Sequence, residues 1–392
     1  MYICYMKKIH YLPLILFLAG LLVSCKNNAE LPVDEIAALS ARQCAIMEQS
    51  LTENKMPRNY QNGQLVLSNT RWWCSGFFPG VCWYTYKLGG DNAMREMALR
   101  QTAKLQDVEM LDPTHDLGFQ VMPSSVEAYK ETGDSCYLKT IYAAAAKLAA
   151  RFTPVTGVIR SWDNPAYTYP VIIDNMMNLE LLMYASKLFD VPEWKEIAVT
   201  HANTTNRNHF RPDGSCYHLV DYNPEDGSII RRQTVQGYAD ESAWARGQAW
   251  AVYGFTMMYR ETGDEAYLER AVKCAEYLLP LLEGRPVPPW DFNAPEESIG
   301  QDDASAGAIM ASAFLELATL TKDAGLAQRC RKQAIATLKA LCNKPYLAEE
   351  GEVGGFLLKH STGYYPKGGE VDVPLTYADY YFMEALWRYK NL

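Results

Sequence analysis

Apolar and polar residues follow a helical period along almost the whole chain from Ile36 onward. The longest stretch is residues 168–188, TYPVIIDNMMNLELLMYASKL, which predicts a helix with one broad buried side. No long run shows the alternation of a strand, so we expect only a few short strands within loops. The buried positions of that helix should be Ile173, Met176, Met177, Leu179, Leu181, Leu182 and Ala185.

Asp174 stands where this helix begins. A carboxylate there either caps the free amides of the first turn or faces a pocket in the field of the helix end. Position alone favours the cap, because Asp is common at helix starts. The acids and aromatic residues elsewhere in the chain favour the pocket.

Two close copies, AYKETGDSCYLKT from Ala128 and MYRETGDEAYLER from Met258, indicate repeated helical hairpins. In each copy a glycine, Gly133 or Gly263, can adopt the left-handed conformation that ends a helix. The aspartate that follows it can cap the next helix. Weaker relatives of this pattern begin at Tyr86, Tyr184 and Leu317.

Helical hairpins stack either as an open solenoid or as a closed ring. The irregular spacing favours the ring, and the extra residues form long aromatic, glycine-rich connections that are typical of functional loops. We therefore predict an all-α barrel, a toroid of helical hairpins, whose loops converge on a funnel at one end. These connections are residues 71–80, 111–119, 160–170, 211–236, 284–304 and 351–374.

The N-terminus has the features of an export signal. Lys7 and Lys8 precede an apolar run, residues 12–23, that is too short to span a bilayer comfortably. The run ends in Leu-Val-Ser-Cys, which resembles the bacterial lipobox and predicts lipidation of Cys25; a plain secretory peptide is the alternative. The predicted divisions are a lipoprotein signal peptide (1–24), a tether (25–35) and a single domain (36–392), with the protein anchored by lipid to a bacterial membrane in the periplasm.

Composition narrows the classes of partner. The net charge of −9 argues against nucleic acid, because an acidic surface repels phosphates. The 26 Tyr and 9 Trp suit a sugar-binding cleft, although helical cores also use aromatic rings. None of the cysteines after Cys25 forms a CxxC pair, so we expect no structural zinc site and mostly buried thiols.

The ordered motifs of the chain resemble the unsaturated glucuronyl hydrolases, glycoside hydrolase family 88, whose fold is an (α/α)6 barrel. The resemblance covers essentially all of the chain after the tether, and several motifs in order are far more specific than one. They are WxxGFxPG from Trp73, HDLGF, IIDNMMNLxLL, ARGQAW, WDFNAP and EVDVPLxYADYYFMEAL.

The resemblance implies that Asp174 is the general acid and base and that Asp116 is the second essential carboxylate. It further implies that Trp73, His115, His218, Gln236, Arg246, Trp250 and, by a looser match, Tyr364 line the subsite for the unsaturated sugar. Taken singly, the two histidines are more often structural. Arg246 and Trp250, four residues apart, either contact one ligand or stack on each other inside the protein. Ser75 departs from the family pattern, in which some members carry an acidic residue.

The implied substrate is the 4,5-unsaturated uronic acid that a polysaccharide lyase leaves at a new chain end. Proton transfer to C4 gives oxocarbenium character at C5, water adds there, and the resulting hemiketal collapses and releases the next sugar. Ordinary glycosidases instead place two carboxylates around the anomeric carbon. The proton donor needs a raised pKa, which aromatic burial and a second carboxylate can provide, and no metal or organic cofactor is required.

Three functions are consistent with this pattern. The first is hydrolysis of lyase-generated glycosaminoglycan oligosaccharides, such as unsaturated chondroitin or hyaluronan disaccharides, in functional coupling with a lyase. The second is an unsaturated rhamnogalacturonyl hydrolase that acts on pectin fragments. The third, from another class, is a non-catalytic sugar-binding lipoprotein of an import system, which would bind without turnover.

Overall fold

The computed structural model describes residues 30–108, 111–112, 114–299 and 301–392. The predicted signal peptide and Cys25 lie outside the described residues. The first helix begins at Val33, so the last three residues of the predicted tether are helical. Among the described residues, no helix has both the length and the apolar character needed to cross a membrane.

The α-helices of the described residues, in chain order, are α1 (Val33–Gln49), α2 (Phe77–Gly89), α3 (Asn92–Ala103), α4 (Leu117–Val121), α5 (Glu127–Thr132), α6 (Leu138–Ala149), α7 (Asn175–Phe189), α8 (Pro192–Asn208), α9 (Ala245–Thr262), α10 (Glu265–Leu281), α11 (Glu296–Ile299), α12 (Ala304–Leu320), α13 (Ala324–Leu341) and α14 (Thr376–Lys390). A π-helical turn, Met122–Val126, joins α4 to α5 in one continuous segment. The strands are β1 (Lys55–Gln61), β2 (Gln64–Asn69), β3 (Phe152–Thr153), β4 (Val158–Ile159), β5 (Pro170–Ile172), β6 (Leu219–Tyr222) and β7 (Ile229–Gln233).

The helices form two concentric rings. In the part of the chain that the structure describes, the inner ring consists of α2, the α4–α5 segment, α7, α9, α12 and α14, and α14 packs back against α2. Helices α1, α3, α6, α8, α10 and α13 pack outside it. The ring is therefore closed, and the predicted (α/α)6 barrel is confirmed over the open solenoid.

The hairpin turns follow the predicted chemistry. Gly133 and Gly263 end their helices in the left-handed conformation, with φ of 68° and 72°. Asp134 and Asp264 then accept hydrogen bonds from backbone amides two residues on, at 2.9 and 3.0 Å. Each repeat therefore reverses the chain in a few residues, which leaves the length differences to the loops at the other end.

The prediction of helical periodicity is wrong at residues 55–69. Strands β1 and β2 form an antiparallel hairpin there, around Asn62 and Gly63, whose positive φ values of 53° and 74° match a two-residue type I′ turn. Asn59 of β1 forms a bridge to Leu375 at the start of α14. The Asn-Gly pair was the sequence signal for this hairpin, and β1 contributes a residue to the site described below.

A three-stranded antiparallel sheet, in the order β5-β6-β7, lies in the long connections, where short strands were expected. The expected burial of cysteines also holds for Cys44, Cys74, Cys82, Cys216, Cys274, Cys330 and Cys342, whereas Cys136 is exposed.

Glycines on both sides fix the position of α7. A Cβ at Gly118 of α4 would lie 2.6 Å from the Cα of Asn178, and a Cβ at Gly254 of α9 would lie 2.5 Å from the Cβ of Met176. Such distances are below van der Waals contact, so the backbones approach as closely as they can. The helix that follows Asp174 is therefore held from both neighbouring inner helices.

Gly254→Ala should destabilise the protein, because the new methyl group meets the first side-chain carbon of Met176, which cannot rotate away. We expect a loss of about 1–3 kcal/mol in the free energy of unfolding, measured by chemical denaturation. Gly89→Ala is the matched control, since its Cβ would meet only Ala37 at 3.9 Å. That variant should be neutral or slightly stabilised, and equal losses in the two variants would contradict the close-approach argument.

Candidate active site

Asp174 is placed by a strand on one side and a helix on the other. Strand β5 pairs with β6, and Ile173 continues this pairing by donating its N–H to the carbonyl of His218 at 2.9 Å. Asp174 then occupies the position before α7, but its side chain makes no capping hydrogen bond. The helix-cap interpretation is therefore wrong, and the carboxyl group is left available to a cavity.

Asp116 occupies the corresponding position before α4 and also makes no capping hydrogen bond. Thr114 Oγ1 donates to Asp116 Oδ2 at 3.0 Å, and His115 Nε2 lies 3.2 Å from Asp116 Oδ1. Helix α4 is tied to α7 by Asn178, whose Oδ1 accepts the N–H of Phe119 at 2.8 Å. Two adjacent inner helices thus bring two distant aspartates to the same end of the barrel.

Both aspartates line one cavity of about 300 Å³. Seven of the predicted site residues line it, namely Trp73, His115, Asp116, Asp174, Gln236, Arg246 and Tyr364. The other lining residues are Arg58, Trp72, Trp162, Ile172, Gly363, Glu370 and Tyr377.

Burial, opposed by Arg246 and assisted by the negative charge of Asp116, raises the pKa of Asp174 to about 7. Burial also raises the pKa of Asp116 to about 7, while Thr114 and Arg151 lower it. Aspartate ordinarily titrates near pH 4. A carboxyl group that keeps its proton near neutral pH can act as a general acid, and its conjugate base can then accept a proton.

The two predicted histidines stay neutral. Burial, and to a smaller extent Arg151, lower the pKa of His115 to about 3. Burial and then Arg246 lower the pKa of His218 to about 3. His218 Nδ1 accepts the N–H of Val235 at 3.0 Å, which assigns the ring proton to Nε2. His218 therefore presents a neutral N–H donor toward Asp174.

His218 and Trp250 are not among the lining residues of the cavity and instead lie behind Asp174. His218 Nε2 is 3.9 Å from Asp174 Oδ2, and Trp250 lowers the pKa of Asp174. Within the described chain, Asp174 Oδ2, His218 Nε2 and Trp250 Nε1 are buried and have no hydrogen-bond partner. Buried polar groups without partners are rare in stable proteins, so their convergence here marks a site kept ready for a ligand or proton.

Arg246 is held inside the protein by four hydrogen bonds. Its Nη1 donates to Asp303 Oδ2 at 2.9 Å and to the carbonyl of Thr362 at 2.6 Å. Its Nη2 donates to Gln236 Oε1 at 2.8 Å and to the carbonyl of Gly363 at 2.7 Å. The guanidinium group thus orients Gln236 and fixes the loop that precedes Tyr364.

Arg246 does not stack on Trp250, so that one of the two interpretations of their spacing is wrong. The guanidinium carbon lies 4.5 Å from the ring centroid of Trp244, whereas Trp250 packs against Phe119 and Tyr381 with centroid distances of 5.2 and 5.3 Å. Trp244 precedes the helix in an extended conformation, so spacing along the helix could not reveal this contact.

Sequence reasoning did not assign Arg58, Trp72, Trp162, Glu370 and Tyr377 to the site. Trp72, Trp162 and Glu370 belong to connections that were expected to converge, and Tyr377 belongs to the closing motif. Arg58 comes from the hairpin that helical periodicity concealed. Its Nε donates to Glu370 Oε1 at 2.7 Å, and its guanidinium carbon lies 4.8 Å from the ring centroid of Trp72.

A raised pKa alone does not identify the site. Burial also raises the pKa of Asp379 to about 7, but both of its oxygens accept backbone N–H groups, from Leu357 at 2.9 Å and Leu358 at 2.8 Å. Asp379 therefore links α14 to the preceding loop by hydrogen bonds. Asp174 differs because one of its oxygens has no partner and because it borders a cavity. No group of three or more His, Cys, Asp or Glu among the described residues is arranged to hold a metal ion.

Comparisons with known proteins agree with this geometry. Residues 47–282 match the family described as Glycosyl Hydrolase Family 88. The unsaturated glucuronyl hydrolase of Formosa agariphila is 39% identical over 99% of this chain and 99% of that protein. The unsaturated chondroitin disaccharide hydrolase of Streptococcus agalactiae is 31% identical over 86% of each.

Solved structures show the same fold. An unsaturated glucuronyl hydrolase specific for heparin matches with a TM-score of 0.87 and 43% identity, over 92% of this chain and 97% of that one. The unsaturated glucuronyl hydrolase of Bacillus sp. GL1, responsible for the degradation of glycosaminoglycan, matches with a TM-score of 0.84 and 30% identity, over 90% and 95%.

Asp174→Asn should change the pH dependence of stability. The pKa of Asp174 is raised in the folded protein, so the folded state holds its proton more tightly than the unfolded chain, and stability falls as pH rises from about 4 to 7. Ionisation of Asp174 in the folded protein costs on the order of 4 kcal/mol more free energy than its ionisation in the unfolded chain. The Asn variant avoids this cost.

The melting temperature of Asp174→Asn relative to the native protein should therefore increase between pH 4 and pH 8, as followed by circular dichroism. Ser75→Ala serves as the control. Ser75 is also buried near this end of the barrel, and its replacement neither adds nor removes a titrating group. A difference for Asp174→Asn that does not vary with pH would contradict the raised pKa.

Proposed function

This chain belongs to glycoside hydrolase family 88 and acts as an unsaturated glucuronyl hydrolase, and we propose that Asp174 and Asp116 carry out its chemistry. The observation that carries this proposal is the pair of aspartates in one aromatic cavity, Asp174 buried and Asp116 largely buried, which both have a raised pKa. The bond broken joins 4,5-unsaturated uronic acid to the next sugar of a lyase product.

Asp174 in its neutral form donates a proton to C4 of the unsaturated ring. Positive charge then develops at C5 and the ring oxygen, and the carboxylate just formed, with Asp116 beside it, stabilises that charge. Water adds to C5 and gives up its proton to a carboxylate of the pair. The hemiketal opens, the glycosidic bond breaks, and the pair again holds the proton with which it began.

The remaining lining residues position the ring. Trp73 is held by Phe77, Phe119 and Tyr377 at centroid distances of 5.9, 5.6 and 5.0 Å, which gives it a fixed orientation for packing against a half-planar sugar. Arg246 acts by orienting Gln236 and the loop of Tyr364, rather than as a freely mobile cation. Neutral His218 and Trp250 supply N–H groups that favour the carboxylate once Asp174 has released its proton.

We propose glycosaminoglycan fragments as the substrates. The curated relatives include unsaturated chondroitin disaccharide hydrolases, and a solved relative with 43% identity is specific for heparin. The likeness to the second protein favours heparin disaccharides ahead of the chondroitin and hyaluronan disaccharides that the sequence suggested. An unsaturated rhamnogalacturonyl hydrolase would share the barrel and the chemistry, so pectin disaccharides belong in the same assay.

Turnover should depend on the proton of Asp174. Unsaturated heparin, chondroitin, hyaluronan and pectin disaccharides are incubated with the protein, and loss of the ultraviolet band of the conjugated double bond is followed. Asp174→Asn should reduce kcat by about 10²–10⁴-fold or more, because an amide cannot donate this proton. The native rate should fall as pH rises above about 7, where Asp174 ionises.

Asp323→Asn is the control for this assay, because Asp323 caps the outer helix α13 and lies outside the cavity. It should keep the native rate. Full turnover by a folded Asp174→Asn protein would remove Asp174 as the proton donor. Binding of all four disaccharides without any turnover would instead support the sugar-binding lipoprotein.

We further propose that the protein is a periplasmic lipoprotein that acts after a polysaccharide lyase. The support is the basic and apolar N-terminus and its Leu-Val-Ser-Cys ending at Cys25. A lipid anchor retains the enzyme at the membrane without a spanning helix. The double bond of its substrate is the product of β-elimination, so a lyase must supply it.

Cys25→Ala should abolish acylation. Radiolabelled palmitate should enter the native protein expressed in a bacterial host and not the variant, and only the native protein should sediment with membranes. Cys136→Ala, at the exposed cysteine, should leave labelling unchanged. Labelling of the Cys25→Ala protein equal to the native level would contradict the anchor.

A further inference from the structure

A second cleft, of about 290 Å³, adjoins the catalytic cavity. It is formed by the connection before β5 and is lined by Arg160, Asp163, Tyr167 and the indole of Trp162. Trp162 also lines the catalytic cavity. The two spaces therefore share one lining residue.

Two aromatic rings form a corner in this second cleft. The rings of Trp162 and Tyr167 lie 6.3 Å apart between centroids, at an interplanar angle of 75°. Tyr167 is fixed because its hydroxyl accepts from Gln233 Nε2 at 3.2 Å and because the guanidinium carbon of Arg231 lies 5.0 Å from its ring centroid. Fixed aromatic faces of this kind suit the apolar faces of sugar rings.

Charged groups beside this corner favour an anionic ligand. Asp163 is paired with both Arg151 and Arg160, so one carboxylate is shared between two guanidinium groups. The side chains of Arg160 and Arg231 are 37% and 44% exposed. Lys367, on the loop of Tyr364, also acts electrostatically on Tyr167 and so brings a further cation to this side.

The catalytic cavity is too small to enclose a long substrate. Its volume of about 300 Å³ is at the lower end of the range for ligand pockets. The unsaturated ring is the terminal one and must reach Asp174, so the rest of the oligosaccharide has to leave through the mouth of the cavity. Tyr364 lines the catalytic cavity and acts electrostatically on Tyr167, and Trp162 lines both spaces, so the second cleft lies next to the catalytic cavity.

We propose that the second cleft is a distal sugar subsite, which binds the third ring of a lyase-generated tetrasaccharide by packing on Tyr167 and by contacts from Arg160 to its carboxylate. In glycosaminoglycan tetrasaccharides the third ring is again a uronic acid, which matches the exposed arginines. This inference rests on the proposed function, and it assigns the enzyme a preference for tetrasaccharides over disaccharides.

The test compares kcat/KM for an unsaturated disaccharide and the tetrasaccharide of the same repeat. The native enzyme should favour the tetrasaccharide by about tenfold, the effect of one well-packed ring and its charge contact. Tyr167→Ala should lower kcat/KM for the tetrasaccharide by about five- to tenfold, because KM rises. It should leave kcat/KM for the disaccharide unchanged. Tyr167→Phe keeps the ring and is the matched control, which should retain the preference.

Arg160→Gln provides an independent arm, because it removes the cation and keeps a polar side chain. This variant should have a lower kcat/KM for the tetrasaccharide and an unchanged kcat/KM for the disaccharide. The preference of the native enzyme for the tetrasaccharide should become smaller as salt concentration rises. Equal kcat/KM for the two substrates in the native enzyme, or equal losses on both substrates in Tyr167→Ala, would overturn the subsite and leave the proposed function intact. No turnover of either substrate would overturn the proposed function and the subsite with it.

Discussion

The site depends on two carboxyl groups that are held largely out of water where neighbouring inner helices begin. Asp116 and Asp174 each precede a helix without capping it, and burial is the largest cause of the raised pKa of both. The close contact of Gly118 with Asn178 keeps the two helix ends together. Folding thus leaves a pair of ionisable groups where they are less stable than in solvent, which is the usual cost of a preorganised proton donor such as the one we propose.

A layered arrangement surrounds this pair. Neutral His218 and Trp250 stand behind Asp174, while Trp73 and Gln236 border the cavity in front of it. Arg246 also lines the cavity, and its contacts with Asp303, Thr362 and Gly363 join the residue before α12 to the loop that precedes Tyr364. The ion pair of Arg246 with Asp303 therefore fixes the position of that loop beside the cavity.

The sequence was sufficient for the barrel, because helical period and turn glycines report local structure, and the resemblance carried by the ordered motifs implied the meeting of the two aspartates. The sequence was insufficient where contacts between distant segments determine the position of a side chain. His218 lies behind Asp174 because β6 pairs with β5, and a periodicity analysis contains no information on that pairing. Arg58 was missed because two residues, Asn62 and Gly63, redirect a chain that otherwise reads as helical.

The β1–β2 hairpin has a consequence for biosynthesis. Arg58 meets Glu370, 312 residues later, at the rim of the cavity, and the ring of inner helices closes only when α14 reaches α2. A nascent chain that still lacks its last helix has neither a closed barrel nor a complete rim. The complete cavity therefore requires both the β1–β2 hairpin and α14, and it cannot form while either one is missing.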